Sequence, residues 1–88
     1  MMRAAVIGLG NIAKRHRGNL KKMFPEVEIV AMSGSGRLPS EDICNSDLIA
    51  PSIQSVIDFN VDMAIVASPA SFHSLHAIPL IESGIPVL

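Results

Sequence analysis

Six residues close to the N-terminus, Gly8-Leu9-Gly10-Asn11-Ile12-Ala13, carry a pattern that can hold a phosphate without any charged side chain. The run fits G-x-G-x-x-G/A, and it stands between a short apolar run and an amphipathic stretch, the context that gives the pattern meaning. Gly8 suits a tight turn from strand to helix. Gly10 has no side chain, so a pyrophosphate can approach the backbone there, and Ala13 is small enough for helix and strand to pack closely. The unpaired N–H groups of the helix start, helped by the helix dipole, then face the anion.

About 20 residues beyond such a turn, an NAD site carries an Asp or Glu that bonds the ribose 2′-hydroxyl. Here the second apolar run ends Ala31-Met32-Ser33, with no carboxylate. Ser33, Ser35 and Arg37 follow in one loop. A guanidinium pairs bidentately with phosphate, hydroxyls donate to it, and a missing carboxylate does not repel it. These residues favour NADP over NAD, with Ser33 and Arg37 as readers of a 2′-phosphate. A solvated polar turn is the competing reading.

The other chemically capable residues form no constellation. His16 falls on the apolar side of the first helix, where a packed histidine is commoner than a ligand. His73 and His76 are spaced to share a helix face, yet a zinc site needs further ligands and carboxylates are scarce nearby. His73 has the titration range of a general acid or base but no partner in this stretch. Cys44, the one cysteine, has no activating neighbour, and Ser71, Ser74 and Ser83 lack a nucleophile-elbow pattern. No catalytic residue and no metal site is expected. Lys14, Arg15, Arg17, Lys21 and Lys22 occupy the positions between the apolar ones on the first helix, and read as a solvated face.

These residues need elements to position them. Ala4–Ile7 reads as a buried strand. From Asn11 the period changes, with Ala13, His16, Leu20 and Phe24 marking one helix face until Pro25. Residues 27–32 form a second buried strand. Pro39–Asp42 looks like a helix start, and Leu48–Ala50 like a very short third strand. Ser52 caps a helix through Phe59. Asp62–Ala67 is a strand, and residues 71–83 a helix that contains Pro79 and stops at Gly84. A last strand opens at Ile85. Alternation of this kind implies a parallel sheet with right-handed crossovers: an α/β, Rossmann-type, doubly wound, three-layer α/β/α fold of about five strands, incomplete, in the order 3-2-1-4-5.

Composition agrees. Hydrophobic residues make up 49% of the 88 and aromatics only 3%, so the core must be aliphatic, as in strands buried on both faces. A net charge of −1 gives no argument for nucleic acid. No apolar run approaches the ~20 residues of a membrane span. A single cysteine suits a reducing compartment, and no signal-peptide pattern opens the chain. The expected location is cytoplasmic.

With Gly8-x-Gly10-x-x-Ala13-x-x-His16-x-x-x-Leu20 and Asp62-Met63-Ala64-Ile65-Val66-Ala67-Ser68-Pro69-Ala70-Ser71-Phe72-His73 in hand, the sequence resembles the glucose–fructose oxidoreductase and inositol dehydrogenase family (Gfo/Idh/MocA). Glu82-Ser83-Gly84-Ile85-Pro86-Val87-Leu88 extends the likeness, which is poorest from Arg37 to Phe59. The resemblance implies that Gly8, Gly10, Asn11 and Ile12 cradle a pyrophosphate and that Ser33 and Arg37 face the adenosine ribose. It places Ala67, Ser68 and Pro69 in the loop at the switch point and His73 near the nicotinamide. Ser68 and Ala70 stand where Thr and Asn are common, which puts a side-chain contact from position 70 in doubt. It further implies an NAD(P)-dependent oxidoreductase acting on a sugar, cyclitol or related carbonyl. Family members carry a Glu-Lys-Pro motif after the strand that begins at Pro86, then a sheet-rich substrate domain. Neither lies within these residues, so 1–88 is expected to be a partial NAD(P)-binding domain, a fragment that binds a dinucleotide and catalyses nothing.

Two other readings use the same glycine turn: a ligand-sensing regulatory Rossmann module, and an S-adenosylmethionine-binding α/β domain. An incomplete sheet also leaves an unpaired apolar strand edge, which invites self-association. Sedimentation of the isolated chain is expected to show dimers or larger species; a clean monomer at high concentration would contradict this.

Overall fold

The computed structural model describes residues 2–34, 43, 45–68 and 73–88. Within them the chain runs β1 (Arg3–Ile7), α1 (Asn11–Met23), β2 (Glu28–Met32), β3 (Leu48–Ile49), α2 (Ile53–Asp58), β4 (Met63–Val66) and α3 (His73–Glu82). The expected helix start at Pro39–Asp42 lies outside the described residues, as does Cys44. No helix of the described residues is long and apolar enough to cross a membrane.

The described strands form a four-stranded parallel sheet in the order β3-β2-β1-β4. Val87 adds a parallel bridge to Ala64 on the outer side of β4, with the Leu88 N–H donating to the Ala64 carbonyl at 2.9 Å. This is the expected 3-2-1-4-5 order, with the fifth strand present as one bridge.

Because side chains alternate along a strand, each strand feeds both faces of the sheet. Ala5, Ile7, Val30, Met32 and Ala64 point to one face and meet Val56 of α2 and Leu80 of α3. Ala4, Val6 and Ile29 point to the other and meet Ala13 and Leu20 of α1. The outcome is three layers, α1 on one side and α2 with α3 on the other.

The stripe that α1 buries differs from the one expected. Ala13, Arg17 and Leu20 are buried, His16 is half-buried, and Phe24 is 46% exposed. Phe24 is the C-cap, with φ −134°, so the chain has already left the helical path that would have carried its ring inward. Arg17 was expected on a solvated face and is 3% exposed. At about 100° per residue it sits on the opposite shoulder of the Ala13–Leu20 stripe from His16, and its long aliphatic stem lets it lie against apolar surface.

Local signals end the helices as expected. Ser52 caps α2, its Oγ accepting from the Ser55 N–H at 3.2 Å. Past α3, Gly84 has φ +80°; its N–H donates to Ile81 at 2.9 Å, and the Ile85 N–H donates to Leu80 at 3.0 Å. That pair of bonds, with Leu80 and Ile85 both buried, is a Schellman ending. Pro79 sits inside α3, and the helix continues past it.

Two polar clusters fix the layers. At the N-terminal end of the sheet, the Arg3 amide donates to Asp62 at 2.8 Å while its guanidinium bonds Glu28 and the Phe59 carbonyl. On the α1 side, Lys21 donates to the Val27 carbonyl at 2.8 Å and to Asp47 at 2.7 Å; Asp47 also accepts from the Ile29 N–H at 2.9 Å. The Lys21 bond, followed by the Ile29 N–H, holds the Asp47 carboxyl below its ordinary 3.8. A depressed carboxyl pKa contributes stability above the ordinary value that is lost as pH falls through the folded value. Asp47→Asn should therefore lower the urea midpoint near neutral pH. The gap from wild type should close as pH drops below 3.8, which chemical denaturation across pH would read.

Candidate functional site

The parallel register sets the geometry at the C-terminal end of the sheet. Ile7 pairs with Met32 on one side and with Val66 on the other. The next residues along the three strands, Gly8, Ser33 and Ala67, therefore emerge in one row. The Gly8 N–H donates to the Met32 carbonyl at 2.7 Å, and the Ala67 N–H to the Ile7 carbonyl at 2.8 Å, so the ladders persist to the rim. Here the order changes direction: β1 connects onward to β2 on one flank and has β4 on the other, which opens a crevice between their ends.

Gly8 is the most constrained residue of this rim. It has φ +117°, and a Cβ built there would lie 2.9 Å from the Ala67 carbonyl oxygen and 3.1 Å from the Ser68 nitrogen. The position demands glycine both for its backbone angle and for the close passage of the β4 end. Gly10 is the reverse case. It is the N-cap of α1 with φ −74° and ψ −175°, which any residue adopts, and a Cβ there would meet nothing within 4 Å. The space in front of the helix start is open. The first turn of α1 carries no acidic residue, and Lys21 and Lys22 occupy the last turn, so local charges leave the positive end of the dipole available to an anion. Ala13 is fully buried against the sheet. This arrangement fits a dinucleotide pyrophosphate held by backbone N–H groups at Gly10, Asn11 and Ile12.

Beyond β4, Ser68 is 4% exposed. Its Oγ lies 2.9 Å from Nδ1 of His76, and its carbonyl accepts from Nε2 of His73. Ile12, Ala67, Ser68 and His73 line one end of an apolar groove of about 950 Å³ that runs between α1 and β4. His16 lines the same groove. Ser33 is half-buried at the end of β2. Arg37 and Pro69 lie outside the described residues. The structure thus gathers Gly8, Gly10, Asn11, Ile12, Ser33, Ala67, Ser68 and His73 around the ends of three strands.

His73 and His76 do not share an environment. His73 is exposed at the start of α3, while His76 is 3% exposed. Burial holds the His76 ring below its ordinary 6.5; a hydrogen bond with the Gly34 backbone opposes the shift, and the charge of His73 adds to it. Sequence reasoning weighed the two as a pair of ligands and missed His76 as a buried member of the rim. The available signal was its place three residues into an amphipathic helix, on the same face as Leu80. Among the described residues no three His, Cys, Asp or Glu side chains converge on a common point.

The sequence matches the model of the family described as "Oxidoreductase family, NAD-binding Rossmann fold" over residues 2–88. The chain belongs to the Gfo/Idh/MocA family. It is an NAD-binding Rossmann domain of that oxidoreductase family. No curated protein matches it in sequence. Among solved structures it is similar to the WlbA dehydrogenase from Bordetella pertussis in complex with NADH and UDP-GlcNAcA. That match has TM-score 0.75 and 22% identity, and covers 98% of this chain and 28% of the dehydrogenase. It is also similar to RSP, a Rex-family repressor, with TM-score 0.74, 19% identity, and coverage of 97% of this chain and 42% of the repressor. RSP in complex with β-NADH gives TM-score 0.70 at 19% identity. The Gfo/Idh/MocA chain described here spans less than half the length of each of these structures.

Replacing Gly8 with Ala forces both a strained φ and a clash with backbone, and should destabilise the fold by more than about 2 kcal/mol. Thermal or urea unfolding of Gly8→Ala measures this; a wild-type midpoint would contradict the assignment of Gly8 to a close backbone crossing.

Proposed function

We propose that this chain is the dinucleotide-binding part of an NAD(P)-dependent oxidoreductase acting on a sugar, cyclitol or related carbonyl or hydroxyl compound, with NADP preferred. These 88 residues supply the cofactor-binding part of that activity. The working location is the cytoplasm. The observation that carries this reading is the glycine turn at the C-terminal rim: Gly8 closed against Ala67, and Gly10 open in front of a helix start.

In this reading the N–H groups at Gly10, Asn11 and Ile12 bind the pyrophosphate, with Gly8 shaping the turn. Ser33 and Arg37 read the adenosine ribose and its 2′-phosphate. Support for NADP comes from Ser33, the first residue past β2, in the place where an NAD site carries a carboxylate. Ala67, Ser68 and Pro69 wall the crevice at the switch point, and His73 borders the nicotinamide end. When bound, the nicotinamide supplies the hydride chemistry, and the protein supplies binding and orientation. The exposed Leu75, Ile78 and Ile81 of α3 support self-association of the chain.

A second reading, a dinucleotide-sensing regulatory module, is favoured by the likeness to a Rex-family repressor that was solved with NADH. A reading frame that continues into Glu-Lys-Pro and a sheet-rich domain supports the enzyme. Continuation into an effector segment supports the sensor.

Calorimetric titration with NADPH and NADH tests the cofactor reading, and NADPH should bind more tightly. Ser33→Asp should reverse the order, since a carboxylate repels a 2′-phosphate and accepts from a 2′-hydroxyl. Gly10→Ala should leave stability within about 1 kcal/mol. The same change should weaken both dinucleotides by about tenfold or more, each tenfold being ~1.4 kcal/mol of lost contact. Tighter NADH in the wild type overturns the NADP assignment, and no binding of either overturns the site.

A further inference from the structure

We propose that His73 and His76 clamp Ser68 from α3 and so set the β4 wall of the crevice, governing how the nicotinamide half of a dinucleotide seats without affecting the adenosine half. The inference rests on the cofactor site proposed above and adds two positioning residues to it.

The need for a clamp follows from the backbone. The ladder that holds the end of β4 runs as far as the Ala67 N–H, which donates to the Ile7 carbonyl at 2.8 Å. Residue 69 cannot extend it, because a proline has no N–H to give. Ser68 leaves the sheet at this point, and its position depends on what its own groups meet. Three heavy-atom branches leave its Cα, and each has a neighbour. The amide nitrogen passes close to Gly8, 3.1 Å from where a Cβ on that residue would stand. The side chain places Oγ 2.9 Å from Nδ1 of His76. The carbonyl accepts from Nε2 of His73. Holding three branches of a tetrahedral carbon fixes its orientation. The direction in which the chain departs from β4 is therefore set by α3 as much as by the strand ladder.

The chemistry of the two links is well defined. A carbonyl only accepts, so Nε2 of His73 carries the proton in its bond. A serine hydroxyl both donates and accepts, so the link at Oγ forms with either tautomer of the His76 ring and with the protonated ring. The two histidines stand three residues apart on α3 and are neighbours on its surface. One takes the hydroxyl of Ser68 and the other its carbonyl. The helix that carries them is itself anchored. Leu80 is fully buried in the layer beneath the sheet, and the bonds at Gly84 and Ile85 close the helix end. Ser68 and His76 are 4% and 3% exposed, so the hydroxyl link is sheltered from water. His73 is exposed and lines the same end of the groove as Ile12 and Ala67. The N–H groups at Gly10, Asn11 and Ile12 belong to the start of α1 and follow from β1, so a loosened β4 wall leaves them in place.

Two measurements on the whole chain test this. The first is calorimetric titration with two pairs of ligands: NADPH with adenosine 2′,5′-bisphosphate, and NADH with AMP. Each pair sets a whole dinucleotide against its adenosine half. His73→Leu and His76→Leu should each weaken the dinucleotides by about five- to tenfold, the scale of one lost hydrogen bond. The adenosine halves should bind within about twofold of wild type, since their site lies at the ends of β1 and β2. A Gln amide reaches the place of Nε2, and an Asn amide that of Nδ1. His73→Gln and His76→Asn should therefore restore binding, while His73→Asn should not. Equal weakening of both members of a pair makes the histidines structural and overturns the inference. Unchanged dinucleotide affinity in both Leu variants overturns it as well. The second measurement is amide hydrogen exchange without ligand, which decides the inference even if the wild type binds no dinucleotide and the proposed function fails. In His73→Leu, where an exposed side chain changes and the core stays filled, exchange should quicken at Val66–Ser68. It should return to the wild-type rate in His73→Gln. A His73 that serves only by touching the nicotinamide leaves exchange in the ligand-free chain unchanged, and that result overturns the clamp.

Discussion

Three parallel strands that end level with one another, and one glycine between them, govern the rest of this structure. Ile7 is in register with Met32 and Val66, so β1, β2 and β4 release their chains at the same height. The middle chain must turn at once into α1 while the β4 end crosses it. Only a residue without Cβ, at φ +117° and 2.9 Å from the Ala67 carbonyl, allows both. A larger residue would push β4 outward and open the sheet at the point where the strand order changes direction. The crevice, the helix start that faces it and the row Gly8, Ser33, Ala67 all follow from that one crossing.

The energetics divide the molecule into two ends. At the N-terminal end of the sheet, Arg3 gathers Glu28, the Phe59 carbonyl and Asp62, and the Lys21–Asp47 pair sews α1 to β2 and the approach to β3. Both clusters are partly exposed, so screening keeps each contribution small. The apolar layers, aliphatic on both faces, provide most of the stability. The C-terminal end is organised differently: backbone groups left open at Gly10, Asn11 and Ile12, and a buried polar link from His76 to Ser68. Polar ties between the layers sit at one end and an open polar rim at the other.

The elements with strong local signals were legible. β1, β2 and β4 announce themselves as short aliphatic runs, α1 begins after Gly10 and ends before Pro25, Ser52 caps α2, and Gly84 ends α3. The glycine turn was legible for the same reason: its requirements are local, a positive φ at Gly8 and a bare backbone at Gly10. The burial of Arg17 was not legible. Charge argues for solvent, and only the placement of α1 on the sheet shows that the 17 position faces inward. Phe24 misled in the opposite sense, because its spacing continues the apolar stripe while the chain has already left the helix.

By itself the sequence determined the order of elements, the parallel sheet they imply, the family, and the residues of the phosphate turn, because each depends on period, on residue size or on backbone freedom within a few neighbours. Tertiary structure alone decided which residues share the rim. It brought the Ser68 hydroxyl to the His76 ring on α3, and it separated His73 from His76 into solvent and core. Those outcomes depend on strand register and on the seating of helices over the sheet. No local pattern encodes either, since both come from packing the layers against each other.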